Sequence, residues 1–410
     1  MRRRAFLGLG ALLPAATFSP ALLADEVGEL RARGALRVGT SDDYAPFAKA
    51  ASGRRAGLDV DMIALLAKDL GVHVEYVPFK WPELTTRLEQ KSFDLAASGV
   101  TMRADRLFFG AFSRPYAVTG AVACIRKEDA KRLGRAAELD SPTVRIAVNR
   151  GGHLAYVART TFPRATLELI DDNTTLLDRV VSKSVDAAVS DSAEVHAAAR
   201  PELVTVGPFT RDRKAFYVRR DEPELARYVD DWLFKHESDL ALAGLRRRWL
   251  GNVVVPGWNP HLEAVLADVQ LRLDLMPGVG AAKRVLGMPV EDRDQEARVV
   301  TRVRDLATAE LLDPAGVETL YRGLIRAAKI IQLAPVLASP TTTLGALRDA
   351  IGGLDEHLVR GLKTAAPRVT PAAWQKGVES GLTAELLPKA LLGELATALG
   401  GVHRVQGKTG

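Results

Sequence analysis

The periodicity of this chain changes once, between Gly251 and Pro260, and that change limits its folds more than any other feature. Before it, short runs rich in β-branched and aromatic residues alternate with segments of helical period, the pattern of parallel sheets covered by helices. After it, nearly every run keeps a period of about 3.6 residues, and the aromatic residues thin to Tyr321 and Trp374. Pro256, Gly257, Trp258, Asn259 and Pro260 interrupt both patterns. A chain of 410 residues exceeds one ordinary domain, so the break at 251–260 is read as a linker between an α/β part (25–250) and an all-α helical bundle (261–405).

The α/β part contains the series twice. LRVGT, GLDVDMIALLAKDLG, VHVEYVPF, WPELTTRLEQKS and FDLAASGV form one β-α-β-α-β run from Leu36, and VRIAVN, GGHLAYVARTTF, ATLELI, NTTLLDRVVSKS, VDAAVSD, AEVHAAAR and LVTVG form a second such series. Two such halves in tandem imply two lobes with a cleft between them, the second lobe at about 120–212. FSRPYAVTGAVACIRK and a return near Thr205 to Phe216 are expected to cross between the lobes. In the helical part, helices are expected at about 261–286, 291–311, 313–338 and 341–364, with shorter ones to about 400 and a frayed tail.

Residues 1–24 carry Arg2, Arg3 and Arg4, an apolar run from Ala5 to Ala16 and small residues up to Ala24. These are the parts of a cleavable secretory leader, directing the chain to the periplasm with no membrane anchor left after its removal. Twin-arginine and general secretory export both fit. The leader holds half of the formal charge of +6. The remainder is too small and scattered for nucleic-acid binding and leaves small anions, held by local sites, as partners. Cys124 is the only cysteine and has no disulfide partner within the chain. The seven histidines, His73, His153, His196, His236, His261, His357 and His403, show no metal-ligand spacing.

Chemistry concentrates in LRLDLMPGVGAAKRVLGMPVEDRDQEARVV. Arg272 and Lys283 lie eleven residues apart, about three helical turns, and so project from one helix face. Asp292, Gln295 and Glu296 follow at i, i+3 and i+4. With Gln332, two cations and several acceptors converge on a pocket suited to a small dianion.

The segments GTSDDYAPF, AGLDVDMIALLAKDLG, SFDLAASGVTMRADR, FSRPY and VDAAVSD resemble the extracellular amino-acid-binding proteins of ABC importers, which have the type II periplasmic-binding fold, over about residues 30–250. YVPFKWPEL, IAVNRGG and SDSAE bring the chain nearest the periplasmic cyclohexadienyl dehydratases, which convert prephenate or arogenate to phenylpyruvate or phenylalanine. The resemblance implies that Arg106, following Thr101, holds a ligand carboxylate in a bidentate grip. Asn149, ahead of Gly151 and Gly152, and Asp191 are expected at the same ligand. Glu194 stands where the dehydratases carry the acid that protonates the departing hydroxyl. Two positions depart from that pattern, Ala121 where a Lys is usual and Leu154 where an Asn is usual.

The helical part resembles the all-helical chorismate mutases, specifically their exported subclass, over about residues 261–365. Arg272, Lys283, Asp292, Glu296 and Gln332 fall in that family's register, and Arg348 in LGALRDAIGGLDEHLVRGL resembles the second arginine that the exported subclass draws from a later helix. The resemblance implies that Arg272 and Arg348 clamp the carboxylates of chorismate, that Lys283 and Gln332 donate to its ether oxygen, that Glu296 holds its ring hydroxyl, and that Asp292 supports the pocket or caps its helix. Gln295 stands where an Arg is usual, and Ala328 lacks a hydroxyl found in some members. Neither chemistry calls for a cofactor. The expected whole is an exported bifunctional enzyme of phenylalanine biosynthesis, taking chorismate and then prephenate or arogenate. The alternative is a mutase fused to a non-catalytic module that binds an amino acid or aromatic acid. Whether the bundle forms a homodimer is left open.

Overall fold

A computed structural model describes residues 25–251, 258–334, 342–383 and 385–405. The expected leader (1–24) and most of the expected linker lie outside the described residues.

The first lobe is built on a five-stranded sheet in the order His73–Pro78, Ala35–Thr40, Leu95–Ala96, Tyr217–Arg219, Gly110–Phe112. Its first three strands run parallel, and the last two join antiparallel. The second lobe repeats this plan with Thr166–Ile170, Arg145–Asn149, Ala187–Asp191, Ala121–Arg126 and Leu203–Val206. In each lobe the fourth strand comes from the far side of a crossing. The crossing itself is a two-stranded ribbon in which Ala117–Thr119 pairs antiparallel with Asp212–Lys214. Leu203–Val206, within the run LVTVG, is the edge strand of the second lobe, so the return crossing, read as starting near Thr205, begins later, at Asp212. A small three-stranded sheet over 43–56, not foreseen from the sequence, adds Tyr44 to the cleft.

Among the described residues seven helices follow. Three of them open on a cap residue and a proline: Asn259 before Pro260, Asp313 before Pro314 and Thr370 before Pro371. Each cap side chain accepts a first-turn N–H, and the proline sits where its missing N–H costs nothing. The single helix expected at 261–286 is two, Pro260–Asp274 and Met276–Val285, parted at Leu275. Pro277 is the cause, since it has no N–H to offer the carbonyl of Leu273. The tail is tied rather than frayed as far as Val405, whose N–H donates to Leu311 O while Asp313 donates to His403 O.

Leu36, Phe47, Met62 and Trp232 mark the core of the first lobe, and Ile125, Ile146, Phe162 and Val189 mark a core of the second. The largest core does not respect the periodicity break. It runs from Phe93, Phe112 and Tyr217 of the first lobe into Leu266, Tyr321, Leu358 and Trp374 of the bundle. The bundle is therefore packed against the first lobe, and polar contacts fix its placement. Glu263, on the helix Pro260–Asp274, takes Arg213 (Nε 2.9 Å) and Arg211 from the crossing ribbon and its approach. His357, on the helix Leu344–Ala365, lies between Asp268 (2.8 Å) and Asp230 (3.2 Å) of the helix Pro223–Ser238.

Candidate functional site

Two cavities collect the chemistry. The first lies between the lobes and is walled by Tyr44, Trp81, Thr101, Arg106, Asn149 and Leu154, with His153, Asn173 and Lys214 at its depth and rim. Arg106 sits on the short turn Ala104–Phe108 and is buried, one guanidinium N–H donating to Thr101 O at 2.7 Å. Burial pulls its pKa down to about 10, which still leaves it charged at neutral pH and able to grip a carboxylate. Gly151 (φ +77°) and Gly152 (φ +71°) carry the second lobe across the cleft, and a Cβ at Gly151 would meet Pro82 Cγ of the first lobe at 2.8 Å. That close approach needs glycine.

Two expected ligand contacts are placed differently. Asp191 is fully buried and does not face the cavity. It caps the helix Ser192–Ala198 by accepting from Ala193 N at 2.8 Å, and it also holds Thr119 Oγ1 (2.6 Å) and Lys214 Nζ (2.9 Å). A helix start in a buried wall needs an acceptor for its free N–H groups, and Asp191 is used up in supplying it. Glu194 lies one layer behind the wall, accepting from Asn173 Nδ2 at 2.5 Å and from Ser190 Oγ. Burial, aided by the nearby charge of Asp191, pushes its carboxyl up to about 8. It is therefore largely protonated at neutral pH, the state a proton donor requires.

Of the two departures, Leu154 faces the cavity, whereas Ala121 is buried in sheet pairing. The cation that the resembling dehydratases carry at position 121 is absent, yet the cavity has a second one, which sequence reasoning missed. Lys214 reaches it from the crossing ribbon, with Nζ bound to Thr101 Oγ1 (2.7 Å), Tyr44 OH (3.2 Å) and Asp191. The lone sequence signal was a lysine at a strand position whose neighbours, Ala215 and Phe216, are apolar.

The second cavity lies within the bundle. Arg272, Lys283, Asp292, Gln295, Glu296, Gln332 and Arg348, all seven side chains singled out from the sequence, line it. Arg272 and Lys283 reach it from separate helices, not from the one helix face expected. The bend at Leu275 turns the second helix, yet both side chains still point inward. Asp292 caps the helix Arg293–Ala309 by accepting from Gln295 N at 3.0 Å and pairs with Arg348 at 3.1 Å. The Gln295 N–H, with Lys283 and Arg348 nearby, holds the Asp292 carboxyl below its ordinary range. Lys283 Nζ donates to Val290 O at 2.7 Å, and burial pulls its pKa down. Gln332 leaves its side-chain amide oxygen buried without a partner, and the Gln295 side-chain oxygen accepts from Arg298 at 2.9 Å.

Sequence reasoning missed Arg302 and Lys329 here, both of which line the cavity. Lys329 pairs with Glu296 at 2.8 Å. Arg302 shares the fully buried Asp355 with Arg272, whose Nε lies 3.0 Å from it. Asp355 fixes Arg272 in place while one terminal nitrogen of that guanidinium stays buried and unpaired. Five cations on the wall face Asp292, Glu296 and the supporting Asp355. With Glu291 also 3.9 Å from Lys329, positive charge is still in excess around the cavity, which favours an anionic ligand.

A two-lobed binding fold whose ligand cleft straddles a strand crossing, followed by a helical bundle with a cationic cavity, is what these sites define. The chain belongs to the bacterial extracellular solute-binding proteins, family 3, which match residues 36–252, and residues 263–333 match chorismate mutase type II. The cyclohexadienyl dehydratase of Pseudomonas aeruginosa is 34% identical over 223 residues, 53% of this chain and 83% of that protein. The L-cystine-binding protein TcyJ of Escherichia coli is 26% identical over 256 residues, 61% of this chain and 96% of that one. Among solved structures, the ancestral amino acid-binding protein AncCDT-1, a precursor of cyclohexadienyl dehydratase, superposes with a TM-score of 0.53 at 33% identity, covering 55% of this chain and 99% of that one. The protein thus joins a family 3 solute-binding domain with a dehydratase relative to a C-terminal chorismate mutase type II domain. Arg348 lies beyond the matched residues of the latter. Among the described residues no helix is long and apolar enough to cross a membrane, and no group of His, Cys, Asp and Glu is arranged to hold a metal ion.

Proposed function

We propose that this is an exported, periplasmic bifunctional enzyme of phenylalanine biosynthesis that converts chorismate to prephenate in the bundle and dehydrates prephenate or arogenate in the interlobe cleft. The observation that carries the first half is the convergence of Arg272, Lys283, Glu296, Gln332 and Arg348 on one cavity with surplus positive charge. Chorismate rearranges by breaking an ether C–O bond as a C–C bond forms, with no proton transferred. Catalysis must come from holding the compact conformer and from meeting the charge that grows on the ether oxygen. Arg272, preset by Asp355, and Arg348 take the two carboxylates; Lys283 and the Gln332 amide donate to the ether oxygen. Glu296 receives the ring hydroxyl, with Lys329 sharing its carboxylate. Asp292 holds Arg348 and the helix start, and Gln295 offers a neutral N–H donor where a cation is usual.

In the cleft, Arg106 takes a carboxylate beside Thr101 and Asn149. Glu194 in its acid form supplies the proton to the departing hydroxyl, while the ring carboxylate leaves as carbon dioxide and its bonding electrons make the ring aromatic. Leu154 in the cleft wall and the set-back position of Glu194 favour a second reading, a mutase fused to a binding module for an aromatic acid. Purified protein given chorismate, and separately prephenate and arogenate, separates the two. Failure to form prephenate sinks the mutase assignment; failure to form an aromatic product from both later substrates leaves the binding module.

A further inference from the structure

We propose that the cavity between the first lobe and the bundle is an effector site for a zwitterionic amino acid with a large apolar side chain. Its volume is about 350 Å³, within the usual range of small-molecule pockets, and it shares no lining residue with either cavity described above. The floor is apolar, with Leu107 and Phe112 of the first lobe meeting Leu271 and Leu354 of the bundle, all four buried. The rim is charged and divided by sign. Arg220 and Arg227 stand on the lobe side, Asp349 and Glu356 on the helix Leu344–Ala365. These four are exposed and have no ion-pair partner among the described residues. The other charged groups of the lining are paired, Asp230 and Asp268 with His357, Glu310 with Lys363 and Arg360 with Asp231.

A carboxylate at the arginines and an ammonium at the acids answer both sides of this rim, while the ligand side chain lies on the floor. A simple anion or cation would meet only one side and be repelled by the other. Asp349, Gly353 and Glu356 fall at i, i+4 and i+7, one stripe of their helix. A Cβ at Gly353 would meet nothing within 4 Å, so the cavity opens directly against the helix backbone. The site is placed to act on the mutase cavity because the two share walls. Asp349 and Leu354 line the junction while their neighbours Arg348 and Asp355 serve the mutase cavity. Leu271 adjoins Arg272 in the same way, and Leu306 lies one turn from Arg302. A ligand that binds better when the rims draw together shifts three helices that carry the mutase arginines.

The probe is L-phenylalanine, titrated calorimetrically into the full-length protein and into Arg106→Ala, which removes carboxylate binding in the interlobe cleft. Binding is expected to survive Arg106→Ala, to weaken at least tenfold in Gly353→Leu, which fills the cavity, and at least fivefold in Arg227→Glu, which reverses one rim charge. Phenylpyruvate, without the ammonium, and phenethylamine, without the carboxylate, are expected to bind Arg106→Ala at least tenfold more weakly than phenylalanine. Saturating phenylalanine is expected to change kcat/KM for chorismate at least threefold in the wild-type protein and not in Gly353→Leu. Absence of binding to the wild-type protein, or binding indifferent to both junction variants, overturns the proposal. Equal binding of either control to Arg106→Ala overturns it too. Arg227 is exposed, so its variant keeps the test open if Gly353→Leu fails to fold. The effector role rests on the mutase reading given above, and turnover separates the two. No prephenate formed in the absence of any amino acid sinks the mutase assignment alone, whereas turnover that bound phenylalanine leaves unchanged sinks this inference alone.

Discussion

At the scale of single residues, the two cavities use opposite electrostatics. The bundle cavity holds its side chains in ion pairs and presets Arg272 and Arg348 through Asp355 and Asp292, as suits a reaction with no proton to move. Lys283→Ala is expected to lower mutase kcat by about 10²–10³-fold, the effect of removing one preorganised donor, measured by loss of chorismate absorbance. Glu194 is the reverse case, a carboxyl that burial keeps neutral. Its raised pKa means the donor form prevails below about 8 and is lost above it. Dehydration of prephenate is therefore expected to fall as pH rises through about 8, and Glu194→Gln to abolish it while leaving the mutase intact. A rate that stays flat across that range would remove Glu194 from the role. Arg272, Lys283, Glu296 and Gln332 were singled out by their spacing and Arg348 by the family resemblance, and the structure gathers all five on one cavity wall. Arg302 and Lys329 were not singled out, since isolated cations on an amphipathic helix look the same whether they face solvent or a cavity.

At the scale of elements, caps and breakers set the geometry. The proline-headed caps locate three helix starts, and Pro277 divides what periodicity alone makes one helix. Close packing then decides the cavity's width. A Cβ on Gly280 would come within 2.6 Å of Gln332 O and 2.9 Å of its Cα, so the helices Met276–Val285 and Pro314–Leu333 touch backbone to backbone beside the site. Gly280→Ala is expected to cost about 1–3 kcal/mol of stability through overpacking and to reduce mutase activity by displacing Gln332. Dehydratase turnover should be unaffected, and thermal melts alongside both assays check this. The requirement for glycine at 280 was invisible in sequence, where it reads as an ordinary weak point in a helix.

At the scale of the whole molecule, the bundle is joined to the first lobe by a continuous apolar core and by the Asp230, His357 and Asp268 cluster. Burial opposes charge on His357, but Asp268 and Asp230 outweigh it and raise its pKa from 6.5 to about 10. A raised histidine pKa contributes stability that is complete below pH 6.5 and disappears as pH climbs through about 10. Melting temperature is expected to decline over that interval, and His357→Gln to destabilise by about 3 kcal/mol, the scale for a buried pair that loses a partner, with a flatter pH dependence. Persistence of the wild-type slope in the variant would place it elsewhere. The sequence by itself determined the two fold classes and most of the side chains that line the bundle cavity, because periodicity and spacing along one chain are local properties that burial simply makes visible. Only the tertiary structure decided that Lys214 occupies Asp191, that Glu194 sits behind Asn173, and that the bundle docks on the first lobe. Each of these joins residues far apart in the chain, and such pairings are selected by packing and desolvation in three dimensions, which no local pattern records.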